Sequence, residues 1–386
     1  VISGGQGWLN TDIYKEVAKK LIDQGQAFYC FCQPKSKEEI KSEREIKIEF
    51  RDPCHHLSSE EIVQKLKINK NPAIRLKVPD GEFISYTDYV SGKKTTWKTD
   101  VVDDAMLLKS DGFPTYHLAV VVDDHHMQIT HALRGHDWMP STPIHLLLYK
   151  YLGFDLPQLG HLTDILDPNG GKLSKRKGNV SVEQFLSDGY LPAALLNFVA
   201  LLGWAPKDNQ EMFTLKEFVD NFDENGFQKS NPQLNLVKLD WFNGQYIRLT
   251  SDAELLELLR PYHSFDCPDG KLLQIISLSK SRISNLKDFA TLNAFFFSQP
   301  SNPPLIESDK KFLSMAKEVL STVEFDKQSI ESSLVGKVRE NGWTNSEFFM
   351  ALRLAIAGQR ISPPLTESMI ILGRSEVLDR LNQIIK

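Results

Sequence analysis

The chain has 386 residues, too many for one ordinary core at roughly 150 residues per domain, so two or three domains are expected and a lone peptide module is excluded. Apolar residues make up 41% and charged residues 25%, a globular balance that excludes disorder or a coiled coil. With 45 Lys plus Arg against 50 Asp plus Glu the net charge is -5, so no global positive field points to nucleic acid and any such contact has to come from local patches.

The sequence opens at Val1 without the basic flank and apolar stretch of a signal peptide, and it is read as starting mid-protein. Ile13, Val17, Leu21 and Ile22 recur at helical spacing and stop at Gly25, which predicts an amphipathic helix over 11–25. A cysteine-bearing segment follows, then a densely charged run from Glu38 to Arg51. Ser58 with Glu61 forms a capping box ahead of Ile62, Val63 and Leu66. The β-prone runs Ala73–Val78, Glu82–Tyr86 and Thr95–Trp97, punctuated by Pro79, Gly81 and Gly92, predict a small sheet.

Pro114–Val122 ends in Ala-Val-Val-Val and reads as a strand buried on both faces, with Ile129–Leu133 as a second. Thr142 is expected to cap a helix whose first residue is Pro143, with Ile144–Leu152 supplying its apolar face. His161–Ile165 is a third short strand entering the Gly170-Gly171 loop. Strands and a helix in this order fit an α/β sheet that binds ligands at its strand ends. Beyond Ser181 the signals turn helical, with capping pairs Ser181/Gln184, Thr214/Glu217, Ser251/Glu254 and Thr344/Glu347, and the last third reads as all-α. Leu191–Leu202 is apolar almost all round and predicts a buried helix. The longest nearly apolar stretch, Leu191–Trp204, falls short of the roughly 18 residues of a membrane span, so a soluble protein is expected.

Three features could carry chemistry. Gly171-Lys172-Leu173-Ser174-Lys175-Arg176-Lys177-Gly178 places four positive charges between two glycines with no acid inside, a loop suited to closing over phosphate. The alternative is an ordinary solvated basic loop. Cys30-Phe31-Cys32 and Cys54-His55-His56 supply three thiols and, with His56, a donor set for tetrahedral zinc; His55 competes as fourth ligand, and metal-free buried thiols are the other reading. Asp123-Asp124-His125-His126 is read as a strand-end turn rather than a metal cluster, because alternate side chains of a strand face opposite ways. His117 and His161 are expected to satisfy backbone groups.

Lys172-Leu173-Ser174-Lys175-Arg176 resembles the KMSKS signature of class I aminoacyl-tRNA synthetases, in the form used by glutamyl-tRNA synthetases. Ser110–Ala119, Arg134-Gly135-His136-Asp137-Trp138, Ser141-Thr142-Pro143 and Leu239–Ile247 resemble that family in order and spacing, over nearly the whole chain. The family's HIGH-type motif is not found, and the chain is expected to lack its first several tens of residues and to be inactive alone.

The resemblance implies a Rossmann-like α/β catalytic domain with an inserted module and an all-α anticodon-binding region. Its parts are 1–13 as a remnant of the first Rossmann half, 14–116 for the acceptor stem, 117–165 as the second half, 166–250 for the KMSKS loop and stem contacts, and 251–386 for the anticodon. It implies ATP-dependent attachment of L-glutamate to tRNA(Glu) through glutamyl-adenylate, with Mg²⁺ beside the triphosphate, in a cytoplasmic monomer. Lys172, Ser174, Lys175 and Arg176 are then catalytic, with Lys175 on the α and β phosphates; Ile165 meets the adenine. Arg134 grips a substrate carboxylate, with Tyr116 and Trp138 lining the amino-acid pocket; the plain alternatives are an Arg134–Asp137 surface pair and a core tyrosine.

The C-x-C and C-x-H spacing is similar to a zinc pattern in the acceptor-stem module of some bacterial members, which implies Zn²⁺ on Cys30, Cys32, Cys54 and His56. Two positions depart from the family: His136 stands where an acid is common and Val120 where some members place Asn. Lys93, Lys94 and Lys98 near Trp97, and Lys280, Arg282 and Lys287, are candidate RNA patches, with ordinary surface charge as the alternative. Glutaminyl-tRNA and glutamyl-queuosine tRNA synthetases are the alternatives within the class. Outside it stand a tRNA-binding module without activation activity and a zinc hydrolase.

Overall fold

The apolar spacing near the start forms helix α1 (Asp12–Asp23), which buries Tyr14, Ala18 and Leu21 and ends before Gly25, whose φ is +70°. The structure is a computed structural model that describes residues 11–32, 51–173, 181–301 and 306–385. It divides into two units, one of Val1–Ile165, Gly203–Ala205 and Asp223–Pro232, the other of Leu166–Leu202, Pro206–Phe222 and Gln233–Lys386.

In the first unit, β1 (Ala27–Cys30), β2 (Ala73–Leu76) and β5 (Met106–Leu108) form an antiparallel sheet in the order β1-β2-β5, while β3 (Phe83–Thr87) and β4 (Lys94–Lys98) form a separate hairpin. The expected single small sheet is thus two. Strands β1 and β5 gave no periodic signal, because four and three residues are too short to establish a period of two. Helix α2 (Ser59–Ile68) carries the predicted capping box: Ser58 Oγ accepts from the Glu61 N–H and Glu61 reaches back to the Ser58 N–H.

The segment expected to be a buried strand at 114–122 is helix α3 (Tyr116–His126) instead. Three consecutive valines favour a strand by propensity, but Leu118, Ala119, Val121 and Val122 are the buried set, and their spacing is one helical face. Packing of that face against α1 and α4 (Thr142–Leu152) outweighs the χ1 cost of β-branched residues, and Leu76, Leu107, Leu147 and Leu148 join the same core. Asp123–His126 therefore lies in the last turn of a helix, not in a strand-end turn.

Strands β6 (His131–Gly135) and β7 (Gln158–Leu162) pair in parallel with α4 as the crossover, and Arg134 sits opposite His161. The expected cap of α4 shifts by one residue. His136–Ser141 already form a 3-10 turn, so the chain enters α4 in helical geometry; Ser141 is the N-cap without a side-chain bond, and Thr142 is the first helical residue.

The second unit is helical: α5 (Val182–Ser187), α6 (Pro192–Gly203), α7 (Leu215–Asn221), α8 (Leu236–Leu249), α9 (Asp252–Leu259), α10 (Asp269–Ser279), α11 (Asp288–Asn293), α12 (Lys310–Thr322), α13 (Lys327–Glu340), α14 (Asn345–Ala357), α15 (Leu365–Leu372) and α16 (Arg374–Ile385). Ser181, Thr214, Ser251 and Thr344 each accept from the backbone N–H three residues on, as their spacing predicts. Helix α6 buries Ala194, Leu195, Asn197 and Phe198 but leaves Leu196 and Val199 about half exposed, so it is one-sided rather than buried all round. One apolar cluster gathers Leu255, Leu272, Ile275 and Phe289, another Leu313, Leu334, Phe348 and Leu381. Among the described residues no helix is long and apolar enough to cross a membrane.

Candidate functional site

Three elements of the first unit converge on Arg134. Strand β6 carries the arginine, α3 brings Tyr116 and His117 at its start and Asp124 in its last turn, and α4 brings His145 and Tyr149 one turn apart. The Arg134 side chain is 10% exposed. Its Nη1 donates to His145 Nδ1 at 2.7 Å and its Nη2 donates to Asp124 Oδ2 at 3.3 Å. Tyr149 Oη donates to the same Asp124 oxygen at 3.3 Å. The carboxylate beside Arg134 is therefore a partly buried one from α3, which sequence reasoning assigned to a turn.

A guanidinium can only donate, so His145 Nδ1 holds a lone pair and the ring proton belongs on Nε2, 3.1 Å from His117 Nδ1. Burial, then the Arg134 charge and the neighbouring His117 and His161, push the His145 pKa down to about 2. Burial and Arg134 also lower that of His117. Burial raises the Asp124 carboxyl against the opposing pull of Arg134 and the Tyr149 hydroxyl. Among the described residues, His117 and His161 are bonded to side chains rather than to the backbone groups expected of them. His161 Nδ1 lies 2.7 Å from buried Asp88 and its Nε2 3.2 Å from Thr142 Oγ1.

Tyr116 and Trp138 form the open wall, their ring centres 4.2 Å apart and both about two-fifths exposed. Burial raises the Tyr116 hydroxyl. The structure thus brings Tyr116 against Trp138 and within reach of the Arg134 charge, with His145 bonded directly to the guanidinium. His145, Asp124 and Tyr149 were missed; the one signal available was the i, i+4 spacing of His145 and Tyr149.

Ile165 lies three residues beyond β7 and is half-buried. In the second unit, Leu166 bridges to Lys172 across a tight turn in which the Gly170 N–H donates to Asp167 O and the Asp167 N–H to Gly171 O, both at 2.9 Å. Gly170 and Gly171 have φ of +99° and +82°, a conformation that side chains with a Cβ resist. Lys172 is placed by this turn; Ser174, Lys175 and Arg176 lie outside the described residues.

Cys30 ends β1, Cys32 follows two residues on, and Cys54 lies in the turn after Asp52. The Sγ atoms of the three cysteines and an Asp52 oxygen all lie within 4.8 Å of one another. Cys32 Sγ is 3.7 Å from Cys54 Sγ, and Cys30 Sγ 3.4 Å from Asp52 Oδ2. His56 is exposed and outside this group, and His55 is turned to Asp104 at 2.7 Å. Three thiols with a carboxylate are chemically competent to hold a zinc ion.

Of the candidate RNA patches, Trp97 stacks on Tyr86 at 5.8 Å and packs against the core, Lys280 is paired with Asp252 at 3.0 Å, and Lys287 with Asp188 at 2.6 Å. Arg282 instead lines an open cavity of about 510 Å³ in the helical unit, with Lys327, Phe349 and Arg353. Burial and the adjacent Arg282 charge lower the Arg353 pKa.

Residues 10–241 match the family of tRNA synthetases class I (E and Q), catalytic domain, and residues 254–385 the anticodon binding domain family. The glutamate–tRNA ligase of Borrelia duttonii (strain Ly) is 38% identical, over 97% of this chain and 78% of its own length. That of Finegoldia magna is 35% identical over 96% and 79%. The crystal structure of a glutamate tRNA ligase from Elizabethkingia meningosepticum in complex with its amino acid has a TM-score of 0.84 at 31% identity, covering 97% of this chain and 82% of that one.

Proposed function

The chain belongs to the glutamyl-tRNA synthetase family of class I tRNA synthetases, and from that premise we propose which of its residues do the work. The reaction is ATP-dependent attachment of L-glutamate to tRNA(Glu). The glutamate α-carboxylate attacks the α-phosphorus of ATP and releases pyrophosphate, and the terminal ribose hydroxyl of the tRNA then takes the glutamyl group and releases AMP.

Arg134 holds the glutamate side-chain carboxylate, and Tyr116 and Trp138 wall the pocket. Supporting this reading is one observation above the others: an almost buried guanidinium on β6 whose charge acts on the Tyr116 hydroxyl, with the part-exposed Tyr116 ring lying against Trp138. Lys175, assisted by Lys172, Ser174 and Arg176, stabilises charge as pyrophosphate leaves, and backbone near Ile165 meets the adenine. Mg²⁺ accompanies the triphosphate.

Cys30, Cys32 and Cys54 hold a zinc ion with Asp52, or with His56 as the spacing suggests; the ion ties the end of β1 to the 52–54 turn and takes no part in the chemistry. Residues 14–116 receive the acceptor stem, 117–165 complete the nucleotide fold, 166–250 carry the phosphate loop and stem contacts, and 251–386 read the anticodon. Within that last region Arg282 and Arg353 line a cavity beside Phe349, cations next to a ring of the kind RNA phosphates and unstacked bases use, while Lys327 there is paired with Glu367 at 2.7 Å. The protein acts as a monomer in the cytoplasm.

The test is ATP–pyrophosphate exchange by the full protein with glutamate or glutamine, with and without tRNA. Glutamate-dependent exchange is expected, falling about a hundredfold or more in Lys175→Ala, the scale of losing one charge-stabilising group at a transition state. A Lys175→Ala protein as active as its parent rejects the phosphate assignment, and exchange driven by glutamine alone rejects the substrate.

A further inference from the structure

His145 is fully buried, yet both of its ring nitrogens are spent on side chains and neither on backbone. It stands on α4, so its position is set by a helix packed into the core, whereas Arg134 stands near the end of a short strand. The two other groups on this arginine are unlike each other. Asp124 approaches at 3.3 Å with a negative charge, and His145 approaches at 2.7 Å with a lone pair and no charge.

That difference has a physical consequence for a pocket that must bind an anion. A second carboxylate behind Arg134 would orient it equally well but would leave the guanidinium over-neutralised, and an incoming carboxylate would meet net repulsion. A neutral imidazole fixes one N–H of the guanidinium and leaves its charge for the ligand. His117, 3.1 Å from the far nitrogen, accepts the remaining ring proton and so fixes the tautomer that keeps the lone pair on Arg134.

We propose that His145 is the positioning residue of the glutamate pocket, an uncharged acceptor that aims Arg134 at the substrate carboxylate while His117 holds its tautomer. The proposal rests on Arg134 being the carboxylate-binding cation. The groups facing His145 are Arg134, His117, the Tyr116 ring at 5.9 Å and, farther off, His161, with Asp124 reached through Arg134.

Three variants separate the roles, each read as KM for glutamate, KM for ATP and kcat of the full protein. His145→Asn keeps an uncharged acceptor where Nδ1 stood, and its glutamate KM is expected within about threefold of the parent. His145→Leu removes the acceptor and His145→Asp adds a charge. Both are expected to raise the glutamate KM by about tenfold to a hundredfold, the cost of a misplaced binding group, with the ATP KM unchanged. A Leu variant that binds glutamate like the parent, or an Asn variant as impaired as Leu, overturns the proposal. Should Leu fail to fold, the Asn and Asp pair decides: equal glutamate KM values overturn it. Ring ¹⁵N spectra give a readout independent of turnover, a neutral Nε2–H tautomer being expected for His145 and an Nδ1–H tautomer being fatal. The underlying reading fails separately, if Arg134→Ala leaves the glutamate KM unchanged.

Discussion

Cys32 shows how far a residue's neighbours control its chemistry. Burial, the Asp52 charge, and Cys30 and Cys54 beside it push its thiol up to about 12, so near neutral pH it is protonated and a poor ligand until a cation compensates. A zinc ion bound here would therefore release protons on binding and be held more weakly as pH falls. Asp52 sits at the centre: it takes the Cys54 N–H at 2.9 Å, lies 3.4 Å from Cys30 Sγ and 3.8 Å from Cys32 Sγ, and is held by Arg75 Nε at 3.0 Å, so its loss disturbs all three cysteines at once. Metal analysis of purified variants is expected to show zinc lost in Cys30→Ser and Cys54→Ser, weakened against a chelator in Asp52→Ala, and retained in His56→Ala. Release from His56→Ala alone would return the histidine to the ligand set. The spacing of the cysteines made this cluster legible, but Asp52 carried no mark in the sequence, since an acid before Pro53 looks like any turn.

The parallel β6–β7 pair depends on a missing side chain. Gly160 in β7 faces Leu133 in register, and a Cβ there would lie 2.8 Å from Val90 Cγ2 and 2.9 Å from Leu133 Cδ2. Leu133 is 40% exposed and can turn toward solvent, but buried Val90 cannot yield far, so Gly160→Ala is expected to destabilise the first unit by about 1 kcal/mol, the low end of the range for overpacking. Urea unfolding followed by tryptophan fluorescence measures this, and an unchanged midpoint refutes it. Among the elements, helices announced by capping pairs were readable because a cap is settled by contacts within four residues. The helix at 116–126 was not, because its valines favour a strand locally and only the α1 and α4 faces packed on it select the helical set.

On the scale of the whole molecule, the two units have separate apolar cores, and unfolding is expected in two transitions distinguishable by site-specific probes. Acid should separate them. His145 is held unprotonated in the folded first unit but takes a proton near pH 6.5 once unfolded, so the unfolded state binds more protons below that point. Its contribution to stability is complete above about pH 6.5 and is lost as pH falls, by up to about 1.4 kcal/mol per pH unit, or about 2 kcal/mol by pH 5. His117, also lowered, adds in the same direction. The first unit's midpoint is expected to drop between pH 7 and pH 5, less steeply in His145→Asn; an equal slope in the variant refutes the assignment. What the linear order of residues determined by itself was what neighbours in the chain carry: the cysteine spacing, the capped helices and the family's ordered words. What only the tertiary structure decided was chemistry shared across distance, Asp124 and His145 on Arg134, Asp52 among the cysteines, β1 and β5 beside β2, because desolvation and hydrogen-bond partnership arise from packing that no local window contains.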